Sequence, residues 1–181
     1  MISDQMYSSI NGLVTHFEKL ANEYRQMRLF LYAHPSICLK GFGRMLQNES
    51  KERWHTSEKV CMFMKRNGRP ITLDASPKPK NDFTTIRQIF DYAVQLEEQT
   101  VNAITNLVTQ SIQAKDYTSE KFLKDLLEYC IYEHQEVKEI QHIIIMTEED
   151  KTAMMLENDK LYEEYDPHNY YKTHYDNCEE E

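Results

Sequence analysis

The chain has 181 residues, a net charge of −9, 40% hydrophobic and 28% charged residues, which suits one domain with its own core. That charge argues against the clustered basic surface a phosphate backbone needs, so no nucleic acid is expected as a partner. No segment approaches the ~20 apolar residues of a membrane span, so no membrane is expected either. The start "MISDQMYSSINGLVTHFEKL" lacks a basic stretch followed by an apolar run, and the expected location is cytoplasmic.

With only 4 Gly and 5 Pro, turn punctuation is sparse, which predicts long helices. Apolar residues recur at helical intervals from about residue 5 to 33, through Ile10, Leu13, Val14, Phe17, Leu20, Ala21, Tyr24, Met27 and Leu31. Pro35 in "AHPSI" breaks this helix. A second run, about 39 to 67, passes through Leu39, Phe42, Leu46, Trp54, Val60 and Met64, and Gly68 in "KRNGRP" supplies its stop.

"RPITLDASPKPKND", residues 69 to 82, holds three of the prolines and has no helical period. It reads as a long connection able to carry the chain from one end of a bundle to the other. The third helix begins near "DFTTIRQIF", capped by Asp82 or Thr84, with Ile86, Ile89, Phe90, Ala93, Leu96, Val101, Ile104, Leu107 and Val108 as its stripe. The fourth, about 119 to 147, has Ser119 or Thr118 as its expected cap, with Phe122, Leu126, Cys130, Val137, Ile140 and Ile144 inward.

A shorter fifth helix is expected in "KTAMMLENDKLYEEY", ended by Pro167. The expected organisation is one domain over 1–165 followed by a mobile, acidic, tyrosine-rich tail over 166–181. Cys38, Cys61, Cys130 and Cys178 show no metal-binding spacing and read as reduced thiols. The nine Met read as packing, and His168 and His174 as solvated.

Within such a bundle, metal ligands are carboxylates pointing inward from facing helices, often with Glu-x-x-His, whose i, i+3 spacing puts both groups on one face. "ERWH" supplies Glu52 and His55 at that spacing. Glu18 stands between Phe17 and Leu20, Glu97 follows Leu96, and Gln135 is midway along the fourth helix. Polar groups at one height in four helices are costly to bury unless something binds them.

These stretches, together with "FEKLANEY", "LKGFGRML", "EKVCMFMKRNGRPI", "KPKND", "LEEQTVN" and "FLKDLLEYCIYEHQEVKEI", occur in an order that resembles ferritin over roughly residues 5 to 147. The resemblance implies an all-α, ferritin-like four-helix bundle with one long crossover and a short fifth helix. It also implies a 24-mer cage that stores iron, taken up as Fe2+ and kept as Fe3+ mineral, either as a homo-oligomer or by co-assembly with an active ferritin subunit.

By resemblance, Glu18, Glu97 and Gln135 match metal-binding positions of the first, third and fourth helices. The second helix departs, because the family's Glu-Arg-Glu-His and Ala-Glu-Lys are here "ERWH" and "TSEK", one residue longer. Aligned without gaps, Arg53 takes the place of the metal-binding Glu and Thr56 that of the His. Arg53 would then point between Glu18 and Glu97 as a fixed cation blocking the iron site, as a basic residue does in light-type subunits. Glu52, His55 and Glu58 would face the cage interior and nucleate mineral.

Aligned by motif, Glu52 and His55 are themselves ligands, and a bulged helix would give an active Fe(II):O2 ferroxidase. Whether the chain is an enzyme thus turns on rotational phase, since one residue rotates a side chain by about 100°. The family's helix-one tyrosine falls on Arg25, beside Tyr24. Asp125 and Glu128 match the pair lining three-fold channels in ferritins. A third reading is a four-helix protein that has lost both cage and iron.

Overall fold

The structure, a computed structural model, describes residues 2–33 and 39–166. Its elements are α1 (Asp4–Ala33), α2 (Lys40–Arg66), α3 (Ile86–Gln113), α4 (Tyr117–Thr147) and a shorter α5 (Lys151–Glu164). The domain expected over 1–165 is helical through α5. The tail, Pro35, Cys38 and Cys178 lie largely or wholly outside the described residues, while Cys61 and Cys130 are free thiols.

The helix boundaries follow from local chemistry. Gly68 is in the left-handed region, at φ 67°, and α2 closes there as Gly68 N–H donates to Lys65 O and Arg69 N–H to Met64 O. The caps of α3 and α4 differ from expectation. Thr85, in extended conformation, accepts from Gln88 N–H, and the Gln88 side chain reaches back to accept from Thr84 N–H. Asp116 rather than Ser119 or Thr118 caps α4, because its carboxylate can take Ser119 N–H and Ser3 N–H, just before α1, together. Burial opposes ionisation of Asp116, yet those bonds hold its carboxyl below the usual range.

Pairs along the bundle show how the helices run. Ser3 at the start of α1 meets Asp116 at the start of α4. Phe42 and Phe90, early in α2 and α3, meet edge to face at 5.9 Å, and Phe63, late in α2, stacks on Phe122, early in α4, at 4.0 Å. α2 and α3 are therefore parallel, and α2 and α4 antiparallel.

The crossover makes this possible by running along α1 in its own direction. Thr72 exchanges bonds with Asn11, Asp74 N–H donates to Thr15, Lys80 N–H donates to Glu23, and Phe83 packs on Phe30.

The inward stripes of all four long helices form one core. Met6, Ile10, Val14, Phe17, Tyr24, Met27, Phe42, Phe90, Ile104, Leu123 and Val137 are all 0% exposed. Trp54, placed on the α2 stripe by periodicity, is instead half exposed, since it lies one residue, or about 100°, past the inward Arg53. α5 docks on α2, where Gly41 N–H donates to Asn158 Oδ1 and a Cβ at Gly41 would fall 1.8 Å from Asn158 O. No described helix is long and apolar enough to cross a membrane.

Candidate metal centre and the groove beside it

On α2 the spacing Glu49, Arg53, Thr56, Val60, Met64 keeps one face buried, and α2 runs from Lys40 to Arg66 without a bulge. The phase of the ungapped register therefore holds through Trp54, and Arg53 points into the bundle with 1% exposure. Its Nε donates to Glu97 Oε1 at 3.0 Å, its Nη1 to Glu133 Oε2 at 2.7 Å, and its Nη2 to Glu49 Oε2 at 2.8 Å. Nη1 also reaches Tyr129 OH at 3.4 Å, while Tyr24 OH donates to the same Glu97 oxygen at 2.7 Å.

Burial alone would pull the proton off this guanidinium, but Glu97, Glu49 and Glu133 raise its affinity further still. Three carboxylates outnumber one cation here, so a proton makes up part of the difference. Burial pushes the Glu49 carboxyl well above the ordinary range despite Arg53, with Glu133 and Glu97 adding to the shift, and Glu49 bonds to Glu133.

The expected residues divide into separate groups. Glu97 is at the centre. Glu18 was expected opposite it, but it is half-buried and is not among Arg53's partners; its neighbour Phe17 takes the inward position, two turns before Tyr24. The position of Glu18, one residue past the stripe, rotates it off the core face. Gln135 is exposed and its amide donates to Glu139 at 3.0 Å, again because the inward residues of α4 are Cys130, Glu133 and Val137.

Glu52, His55 and Glu58 line a groove between α2 and α4, of about 920 Å³, which also reaches Glu49 and Glu133 of the Arg53 cluster and to which Glu164 and Tyr165 at the end of α5 contribute. Asp125 and Glu128 are exposed on α4.

Sequence reasoning missed Glu49 and Glu133. Both were legible as stripe positions, Glu49 one turn before Arg53 and Glu133 seven residues after Leu126. Among the described residues, Glu49, Glu133 and Glu136 bring carboxylate oxygens within 4.8 Å of one another, yet two of these already bind Arg53. Tyr132 OH donates to Glu136 at 2.7 Å, and burial still raises the Glu136 carboxyl.

On the far side of α1, His16 Nε2 lies 2.9 Å from Thr100 Oγ1, which donates to Leu96 O. The Thr100 proton is thereby committed, so His16 donates from Nε2. Burial, then Lys19, lowers its pKa to about 4, so the ring is neutral near pH 7.

Four long helices, one long crossover and carboxylates from three helices meeting in the bundle define the ferritin-like class of carboxylate bundles. The chain belongs to the ferritin family: a Ferritin-like domain model matches residues 8–146.

It is 23% identical over 133 residues to the bacterial non-heme ferritin of Staphylococcus saprophyticus, covering 74% of this chain and 78% of that protein. The bacterial non-heme ferritin of Staphylococcus aureus strain USA300 is 22% identical over 161 residues, with 89% and 95% covered. The fold resembles an engineered closed form of the Archaeoglobus fulgidus ferritin, with a TM-score of 0.84, 22% identity, and 89% and 96% of the two chains covered. It also resembles the open pore ferritin of that archaeon, at 0.83 and 23%, with 88% and 96% covered.

Proposed function

We propose that this chain is an iron-storage subunit of a ferritin cage whose oxidation centre has been replaced by a fixed cation. The observation that carries the reading is Arg53, buried and bonded to Glu49, Glu97 and Glu133. A ferrous pair would need those oxygens for itself, and the guanidinium already supplies the positive charge. Phe17, where α1 faces inward, offers no carboxylate. The donor set present does not fit a paired-iron centre, and no oxidation step is assigned to it.

Iron is cargo in this reading. Asp125 and Glu128, i and i+3 on an exposed face of α4, attract Fe2+ through hard oxygen contacts where subunits meet. Glu52, His55 and Glu58, along the groove, offer ligands to ferric ions on the inner face and nucleate mineral. A partner subunit with an intact oxidation centre would supply Fe3+, either as a mixed cage or by oxidation elsewhere in solution.

The rival reading, a ferroxidase built from Glu18, Glu52, His55, Glu97 and Gln135, needs a bulge that brings Glu52 and His55 to Glu97; the uninterrupted course of α2 does not favour it.

Stopped-flow absorbance of the apoprotein mixed with Fe(II) in air, together with light-scattering mass, tests the proposal. The expected result is a cage of about 24 chains that oxidises Fe(II) no faster than buffer yet accumulates mineral when an active ferritin subunit is added. A fast oxidation phase in the pure protein overturns the first part, and a monomer or dimer overturns the second.

A further inference from the structure

The outward ridge of α3 takes no part in the Arg53 cluster or the groove. From Gln99 to Ala114 no residue carries a charge, in a chain where 28% do. Gln99, Asn102, Asn106, Thr109 and Gln113 are all exposed, and their alternating spacing of three and four residues sets them along one line of the helix, about 21 Å long. Thr109 spends its hydroxyl proton on Thr105 O, whereas the four amides on this line bond to no other described side chain or backbone group.

The neighbouring helix extends the pattern. α1 adjoins α3 through the His16–Thr100 and Tyr24–Glu97 bonds, and from Gln5 to Phe17 it has no Asp, Glu, Lys or Arg. Its histidine there, His16, is neutral near pH 7 because burial opposes its charge. Ser8 and Gly12, two turns and one turn before His16 on the same side, are exposed, and a Cβ at Gly12 would meet nothing within 4 Å. α1 is therefore a low, open shoulder beside the α3 ridge.

Most classes of partner have nothing to hold here. A phosphate backbone or an acidic segment needs cations, and a basic segment needs carboxylates. A bilayer needs a broader apolar surface than Ile112, the one large exposed apolar side chain between Gln99 and Ala114. A side-chain amide, by contrast, both donates and accepts, so a row of amides complements an identical row turned about a two-fold axis. Two copies of net charge −9 meet like charge over much of their surface, and on this face they do not. We propose that the ridge is a two-fold contact with a second copy of this chain, α3 against α3, its Asn and Gln amides pairing across the axis while the small residues of α1 let the two helices approach. The contact needs only a second copy and depends neither on iron storage nor on closure of a cage.

The test is cross-linking of the full-length protein. Gln99, Asn102, Asn106 and Gln113 are replaced by cysteine one at a time and treated with a short bis-maleimide. The native protein, with its own 4 cysteines, gives the background, and Lys138→Cys, on an exposed turn of α4, is the control. Residues held together across an axis react at a raised effective concentration, so at least one ridge variant is expected to give covalent dimer about fivefold or more above both references.

The second measurement is light-scattering mass against protein concentration. Asn102→Asp with Asn106→Asp sets like charges across the axis and is expected to raise the concentration at which the assembly dissociates about tenfold or more at low salt, with partial recovery at about 0.5 M. Asn102→Ser with Asn106→Ser keeps the face neutral and is expected to shift it less. Both positions are exposed, and unchanged helical circular dichroism verifies the fold. Cross-linking no stronger than background overturns the proposal, as does native association in the double Asp variant or a native protein that is monomeric. A native cage without ridge cross-links overturns this contact and leaves the storage reading standing, whereas cross-linked dimers with no larger assembly do the reverse.

Discussion

At the scale of single residues, Arg53 is the cationic centre of a buried cluster, and its removal exposes what it balances. Breaking a buried ion pair leaves uncompensated charge, so Arg53→Ala is expected to cost about 3–5 kcal/mol at neutral pH by chemical denaturation. The vacated cluster of Glu49, Glu97 and Glu133 would then accept a divalent cation, so zinc raises the melting temperature of the variant and not of the native protein.

Glu49 makes a separate prediction. Its folded carboxyl keeps its proton above the unfolded value, so the native state binds more protons, and stability falls as pH rises above the unfolded pKa. Glu49→Gln mimics the protonated form, accepting from Arg53 and donating to Glu133. It should therefore equal the native protein near pH 4 and exceed it in denaturant midpoints as pH rises above the unfolded carboxylate range. His16 acts with the opposite slope: its lowered pKa of about 4 means the unfolded chain binds the extra proton, so stability falls as pH drops from 6.5 toward 4.

At the scale of elements, the α3–α4 turn is strained. Lys115 occupies the left-handed region at φ 52°, while its N–H donates to Ile112 O and Asp116 N–H to Ser111 O. Glycine adopts that geometry without a Cβ penalty, so Lys115→Gly is expected to stabilise by about 1 kcal/mol. The attachment of α5 depends on a glycine in the other sense. Gly41→Ala would place a methyl 1.8 Å from Asn158 O, and backbone cannot yield as a flexible side chain can. The expected outcome is α5 detached from α2, read as faster amide exchange in Lys151–Glu164 with the four long helices still protected.

At the scale of the whole molecule, the crossover determines which helices face each other. By following α1 from Asn11 to Phe30, it returns the chain to the starting end of α2, so α3 runs parallel to α2 and brings Glu97 opposite Arg53. In the proposed cage, the exposed Asp125 and Glu128 would line a channel between subunits. Asp125→Asn with Glu128→Gln should slow mineral loading of a mixed cage several-fold, leaving cage mass unchanged; unaltered loading argues against the channel role.

Helix positions, the long crossover and the short fifth helix were legible in the sequence alone, which left open whether Arg53 or the pair Glu52 and His55 turns inward until α2 was seen to run unbroken. Each rests on spacing along one stretch of chain, and an unbroken helix carries its phase from Phe42 to Met64 without outside help. What only the tertiary structure decided is which groups Arg53 meets. Glu18 sits one residue and Gln135 two residues off their stripes and both turn aside, while Glu49 and Glu133 meet the guanidinium, and Glu52, His55 and Glu58 fall on a groove shared with α4 and α5. Periodicity defines a face within a helix, but the relative rotation and height of neighbouring helices come from how their side chains interlock, and that is a property of the packed bundle.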